Sequence, residues 1–211
     1  MKATVIVPVY NEPESIGKVL EKIGKGYEVI VVDDGSGMDI CDIAGKHNAK
    51  CIRLEKNMGK GYACRIGAQR AKCSKIIFID GDMQLDPLQI PKFAEALDTS
   101  DIVLGYRKRK DIPLQRAISN TLAVIMIFLS TRKYYRDVLC GFRGIRKDSM
   151  QELELRGDRY EFESELIIRA SRRGLGFAQI PVSVNYMRSG MGLKDTAKVA
   201  FYQLKEIVRS F

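Results

Sequence analysis

The sequence predicts an α/β fold with a mostly parallel central sheet covered by helices on both faces. Three observations carry the prediction. Short runs rich in Val and Ile recur between residues 3 and 105. A stretch with helical patterning separates each run from the next. The runs are apolar nearly throughout instead of alternating, as strands buried on both faces are.

The elements follow in order. "ATVIVPV" (3–9) reads as a strand. "EPESIGKVLEKI" (12–23) reads as a helix, with Pro13 near its first turn and acidic residues at its positive end. "EVIVVD" (28–33) is a second strand, "MDICDIAGKH" (38–47) a helix and "AKCIRLE" (49–55) a third strand. "KGYACRIGAQRA" (60–71) is a helix, and "KIIFID" (75–80) a fourth strand. "DPLQIPKFAEAL" (86–97) is a helix capped by Asp86 with Pro87 at its first position. "DIVLG" (101–105) is a fifth strand. Beyond it the pattern loosens: a helix over 113–131, a short strand in "FRGIR", a helix over 161–173, a strand over 176–184 and a last helix over 193–211.

Length and composition fit this class. The chain has 211 residues, 45% hydrophobic and 29% charged, which is enough for one domain with a sizeable core. Residues 1–211 read as a single domain, regular to about residue 106 and less regular from about 107. Met1 and Lys2 lead straight into the first strand, so no signal peptide is expected. No uninterrupted apolar run approaches about 18 residues, so no membrane-spanning helix is expected. The five cysteines show no C-x-x-C spacing and an odd count, which predicts reduced, mostly buried thiols in a cytosolic protein. His47 is the single histidine, which argues against a histidine-rich zinc site and a Ser-His-Asp triad. The net charge of +9 gathers after Tyr106, in "YRKRK", "TRKYYR", "FRGIRK" and "RASRR". Nucleic acid, an anionic membrane surface or a phosphorylated substrate would suit it. The basic clusters carry no recognisable nucleic-acid docking motif, so nucleic acid is not expected as a partner.

In open sheets of this kind ligands bind beyond the carboxyl ends of the strands. Four strand ends are unusual there: "VPVYNE", "VVDDGS", "NMGKG" and "DGDMQ". Each alone is ordinary turn chemistry. "NMGKG" lacks the Walker A spacing. In a parallel sheet, however, all four converge on one edge. That edge then carries Asp33, Asp34, Asp80 and Asp82, with Lys60 close by. So many carboxylates would raise one another's pKa, and a hard divalent cation relieves the repulsion. Mg²⁺ typically takes one or two carboxylates plus substrate phosphates. If the extended geometry persists through Gly81, Asp80 and Asp82 point the same way.

In this order "VIVPVYNE", "VVDDGS", "N-x-GKG" and "D-x-D" resemble a family 2 glycosyltransferase with the GT-A fold. "LGYRKR", "QRAISN", "DVLCGFRGIRK", "FESELIIRA" and "IPVSVNYMR" are similar to polyprenyl (dolichyl) phosphate mannosyl- or glucosyltransferases, over nearly the whole chain. The resemblance implies a nucleotide-sugar-binding half to about residue 106 and an acceptor-binding half from about 107, and that Pro8, Tyr10, Glu12, Asp33 and Asp34 surround the nucleobase and ribose. It implies that Lys60 helps the base or diphosphate, and that Asp80, Asp82 and Gln84 hold Mg²⁺ or Mn²⁺. Arg107, Arg116 and Ser119 match positions near the donor diphosphate and acceptor phosphate, Arg143 lies in the matching "GFR", and Glu165 matches the acidic residue of "F-x-x-E". Asp82, Arg107, Arg116 and Glu165 are thereby the catalytic candidates. The family's closing Arg-x-x-Gly-x-Ser-Lys stretch is here "RSGMGLK": Arg188 and Lys194 are kept, and Leu193 replaces the serine.

The chemistry implied is direct displacement at the anomeric carbon, with inversion, from GDP-mannose or UDP-glucose. A phosphate monoester acceptor, with its second pKa near about 6, is already anionic and needs no base. A hydroxyl acceptor needs one, and Asp137 and Glu165 are the candidates. The abundant arginines favour the polyprenyl phosphate. "LAVIMIFL" (122–129), flanked by Arg116 before and Arg132, Lys133, Tyr134, Tyr135 and Arg136 after, suits a segment in the lipid headgroup region. A buried core or dimer helix is the alternative, so a homo-oligomer remains open. The expected location is cytoplasmic, peripheral on the membrane face. Two rivals stand beside this reading: a family 2 transferase with a hydroxyl acceptor on a soluble or cell-surface glycan, and a silent nucleotide-sugar or lipid-binding module.

Overall fold

The computed structural model of the chain describes residues 1–185. Among them, seven strands form one sheet: β1 (Thr4–Val9), β2 (Glu28–Asp33), β3 (Lys50–Arg53), β4 (Lys75–Phe78), β5 (Ile102–Arg107), β6 (Arg143–Arg146) and β7 (Phe177–Val182). Their spatial order is β3-β2-β1-β4-β6-β5-β7. Every neighbouring pair is parallel except those of β6, which runs antiparallel to both β4 and β5. The predicted strands thus form, each end within two residues of the expected one. A strand from the second half of the chain is wedged between two from the first.

The helices are α1 (Pro13–Lys22), α2 (Ile40–Lys46), α3 (Lys60–Arg70), α4 (Ile90–Ala96), α5 (Leu114–Thr131), α6 (Lys147–Glu152) and α7 (Glu161–Arg172). The helix expected over 86–97 is divided. Asp86 does cap it, accepting from the Leu88 N–H at 3.2 Å. Pro87–Gln89 then form a 3-10 turn before α4 begins. Pro91 has no N–H to give to a continuous α-helical ladder at that point. The short helix α6 and the 3-10 turn Arg109–Asp111 carried no readable period. The helix expected over 193–211 lies outside the described residues.

Strand alternation sorts the core into two layers. Val5, Val7 and Val9 face Ile16, Val19 and Leu20 of α1, Ile40 and Ala44 of α2, and Phe93 of α4. Ile6, Val32 and Phe78 face Ala63 and Ala68 of α3, Ile127 of α5, and Phe162 and Leu166 of α7. Each large side chain buried this way contributes about 1.5–3 kcal/mol. At the amino ends of the strands Glu28, 4% exposed, accepts from Thr4 Oγ1 (2.7 Å), Lys50 Nζ (2.6 Å) and the Lys72 N–H (2.8 Å). These partners outweigh burial and hold its carboxyl below the usual range. Charge at that end of the sheet is therefore structural.

One expectation is corrected. Cys41 on α2 and Cys51 on β3 form a disulfide, with Cα atoms 5.3 Å apart. The parallel β2–α2–β3 crossover brings them together across a separation that no metal or redox spacing flags. Cys64 and Cys140 are buried thiols as expected, and Cys73 is partly exposed. The helix α5 is a separate matter. Its 18 residues, with mean hydropathy 1.3, are long and apolar enough to cross a membrane by length and composition. Counting uninterrupted apolar residues missed it because Ser119, Asn120 and Thr121 break the run. The narrow face of α5 formed by Ala117, Asn120, Ala123 and Ile127 is buried. Leu114, Ile118, Leu122, Ile125 and Leu129 recur every three or four residues and are 47–75% exposed.

Candidate active site

The carboxyl ends of the parallel strands open onto a cleft of about 950 Å³. It is lined by Pro8, Tyr10 and Glu12 after β1, by Asp34 after β2, and by Asn57, Gly59 and Lys60 at the start of α3. Asp80, Asp82 and Gln84 enter after β4, Arg107 at the end of β5, and Arg116 and Ser119 from α5. The sequence-predicted residues converge here with three exceptions among those described.

The first exception is Asp33, fully buried beneath the cleft. It accepts from the Ser36 N–H at 2.9 Å and lies 3.5 Å from Arg53 Nε. Ser36 in turn accepts from the Asn11 N–H at 2.9 Å, so Asp33 shapes the loop that borders Tyr10. The second is Arg143, 2% exposed. Its guanidinium donates to the carbonyls of Cys140 (2.9 Å), Glu163 (2.6 Å) and Val138 (2.5 Å). That fork is spent on backbone, so it serves as an internal tie and does not face an acceptor phosphate. The third is Glu165. It accepts from the N–H groups of Arg156 (2.9 Å) and Gly157 (2.7 Å) and pairs with Arg169 at 2.7 Å. It braces a loop and stays out of the cleft. Arg188 and Lys194 lie outside the described residues.

The loop that Glu165 braces, residues 156–160, lies flush on the start of α3. The Tyr62 N–H donates to the Asp158 carbonyl at 2.9 Å, and Arg65 reaches Gly157 O (2.9 Å) and Asp158 Oδ1 (2.6 Å). Gly59, at φ +104, permits this contact, since a Cβ there would overlap the Asp158 carbonyl. Asp34 fixes the same turn by accepting from the N–H groups of Met58 (2.7 Å) and Gly59 (2.9 Å). Burial nonetheless raises its pKa.

Asp80 and Asp82 both reach the cleft, but not by extended geometry. The strand ends at Phe78 and a turn begins at Gly81, with Met83 at φ +60. Asp82 accepts its own turn's Gln84 N–H at 3.0 Å. Burial first, and the neighbouring Asp80 charge second, push the Asp82 carboxyl up to about 6. Asp80 Oδ1 is 2.6 Å from Lys60 Nζ, and the same ammonium is 2.9 Å from Glu163 Oε1. Gln84 Oε1 accepts from Arg116 at 2.8 Å. Arg107 is gripped by the fully buried Asp137 through its backbone N–H (3.1 Å), Nε (2.7 Å) and Nη2 (3.0 Å).

Among the described residues no group of three or more His, Cys, Asp or Glu forms a ready-made metal cage. The donor set still fits a hard divalent ion shared with substrate phosphates. Two adjacent carboxylates face the cleft, and burial together with its neighbour's charge makes one of them easier to protonate than usual. Asp80 and Asp82 are the residues that would hold it. Gln84 Oε1 is engaged by Arg116.

Sequence reasoning missed Leu139, Gly141, Arg159, Tyr160 and Glu163 on the cleft wall. Glu163 is the telling case. Positions 163 and 165 lie on different faces of one helix turn, and "FESE" offers an acid at each. The apolar period of Phe162 and Leu166, both buried, is the signal that sets Glu163 inward.

Comparisons with known proteins agree with this geometry. Residues 4–153 match the family model described as glycosyl transferase family 2. An uncharacterised protein of Methanocaldococcus jannaschii is 36% identical over 213 residues, covering 92% of this chain and 93% of that one. A dolichol-phosphate mannosyltransferase of Pyrococcus furiosus is 28% identical over 226 residues; the match covers 99% of this chain and 63% of that protein. Among solved structures, glucosyl-3-phosphoglycerate synthase from Mycobacterium tuberculosis, in complex with Mn²⁺, uridine diphosphate and phosphoglyceric acid, superposes with a TM-score of 0.80 at 21% identity. That match covers 95% of this chain and 75% of the synthase, and it shows the GT-A fold.

Proposed function

The chain belongs to glycosyl transferase family 2 and is a glycosyltransferase; from that premise we propose that it moves a hexose, with inversion, from a nucleotide-diphosphate sugar to a polyprenyl phosphate. The donor is GDP-mannose or UDP-glucose, and the divalent ion is Mg²⁺ or Mn²⁺. The observation that carries the acceptor is the double face of α5. One side sets Arg116 and Ser119 in the cleft with Asp80 and Asp82; another side is an exposed apolar stripe. A molecule with an anionic head and a long apolar tail fits both. The dolichol-phosphate mannosyltransferase among the relatives supports the same class.

The residues divide the work as follows. Pro8, Tyr10, Glu12 and Asp34 border the base and ribose, and Lys60 serves the diphosphate. A bound divalent cation supplies Lewis-acid stabilisation of the departing nucleotide diphosphate. Arg107 and Arg116 aim fixed positive charge into the same space, Arg107 preorganised by its clamp on Asp137. Ser119 adds a hydroxyl at the acceptor end. No proton need leave an acceptor that is already a phosphate anion. Both base candidates for a hydroxyl acceptor are otherwise engaged: Asp137 by Arg107, and Glu165 by two backbone N–H groups and Arg169. Tyr134, Arg132 and Lys133 flank the C-terminal end of α5 and suit peripheral attachment to an anionic cytoplasmic membrane face.

A second reading, a hydroxyl acceptor, is favoured by Glu163, a carboxylate that lines the cleft. The experiment separating the two incubates radiolabelled GDP-mannose or UDP-glucose with Mn²⁺, polyprenyl phosphate in detergent and a panel of soluble phosphorylated and free sugars. Label in the organic extract is the expected result. Label confined to water-soluble product overturns the lipid acceptor.

A further inference from the structure

Lys60 occupies an unusual position for a group meant to meet a diphosphate. Its ammonium is held by Asp80, one of the two residues suited to a metal, and by Glu163. The Lys60 side chain is 22% exposed and that of Glu163 only 6%. Burial lowers the lysine's pKa, but the two carboxylates more than reverse this and leave it well above its usual value. The surroundings are built for the cluster. A Cβ at Gly141 would overlap both the Asp80 carboxylate and the Lys60 ammonium. Arg143 binds the Glu163 carbonyl and the 138–140 turn together behind it. Glu163 Oε2 is buried without a hydrogen-bond partner, so this carboxylate has capacity beyond its present single contact.

The cluster implies an exchange of partners. A divalent ion held by Asp80 would compete with the ammonium for that carboxylate's charge. A lysine with no second partner would then be pushed away by the ion's charge. We propose that Glu163 is a positioning residue that retains Lys60 in the cleft after the metal takes Asp80, so that the ammonium turns to the donor's diphosphate. Lys60 thereby plays two parts: it balances Asp80 before donor and metal arrive, and it supplies a second cation afterwards. Glu163 acts through Lys60 and touches no reacting atom. The inference rests on the donor-site reading above and on an acceptor phosphate that needs no base, which leaves Glu163 to its lysine.

The test is a double-mutant cycle read by calorimetric titration of Mn²⁺ alone, then of UDP and GDP at saturating Mn²⁺, with no turnover required. Lys60→Met frees Asp80, so Mn²⁺ alone binds roughly tenfold tighter, while nucleotide diphosphate binds roughly tenfold more weakly. Glu163→Gln weakens nucleotide diphosphate to a similar degree, and adds no further loss in the Lys60→Met background. A merely structural role for either residue would not tighten the metal. Cooperative melting of each variant is the control, and Lys60→Gln replaces Lys60→Met if the latter fails it. Unchanged Mn²⁺ affinity on loss of the lysine, or equal Glu163→Gln losses in both backgrounds, overturns the inference. Wild-type protein that binds neither Mn²⁺ nor either nucleotide overturns the donor-site reading itself.

Discussion

Replacing Leu122 and Ile125 together by glutamine tests whether the exposed stripe of α5 meets a membrane. These side chains are 47% and 48% exposed, so about half of each remains to be covered. Full burial of such a side chain is worth about 2 kcal/mol, so a lipid surface gains about 1 kcal/mol from each. The pair is then worth about 2 kcal/mol, or roughly thirtyfold in partitioning. Glutamine suits a helix interior about as well as leucine, and the narrow face of Ala117, Asn120, Ala123 and Ile127 is left intact. Co-sedimentation with vesicles containing anionic phospholipid reads the partition coefficient, and a thermal melt checks the fold. The expected result is a roughly thirtyfold fall for a variant that still melts cooperatively. Partitioning unchanged within twofold refutes the membrane reading. So does a variant whose only change is loss of a dimer in light scattering, because the stripe then belongs to a second copy.

Three further outcomes follow from the packing. Arg143→Met strands carbonyls of Val138, Cys140 and Glu163 in the core and costs about 3 kcal/mol or more in denaturant unfolding; a variant of native stability with weakened acceptor binding would contradict its internal role. Glu28 has a folded pKa below its unfolded one, so its contribution is complete above the ordinary carboxylate range and is lost as pH falls through the lowered value. Glu28→Gln is therefore expected to flatten the acid limb of the stability curve, which pH-dependent melting measures. For the thiols, native non-reduced protein is expected to react at Cys73 alone, because burial pushes Cys140 up to about 12 and Cys64 higher still. Reduction of the Cys41–Cys51 pair releases a ten-residue loop and lowers stability by about 3 kcal/mol.

The first half of the fold was legible because its strands are continuous Val/Ile runs ending in turn chemistry, which fixes both their type and their shared edge. That is why Asp34, Lys60, Asp80 and Asp82 meet as read from spacing alone. The second half was not legible to the same depth. Nothing in "FRGIR" announces that it runs antiparallel between β4 and β5, because pairing partners roughly forty and seventy residues away leave no local trace. Burial was equally hidden. An arginine in a loop motif looks like an anion ligand until three backbone carbonyls are found around it, as at Arg143. The choice between Glu163 and Glu165 needed the helix register. The disulfide needed the crossover that lays α2 on β3.

The place of β6 in the sheet also bears on how the protein is made. Ile76, Ile77 and Phe78 of β4 pair on one side with β1, and on the other with β6, which lies beyond residue 142. β5 likewise finds its β6 partner only then. During synthesis the amino-terminal strands are thus complete well before the piece that joins them, and an apolar edge stands open in the interval. Such an edge is a template for pairing with another nascent chain. Slow translation between residues 107 and 142 would lengthen that interval and favour aggregation, whereas prompt delivery of the four residues Arg143–Arg146 closes the sheet from the inside.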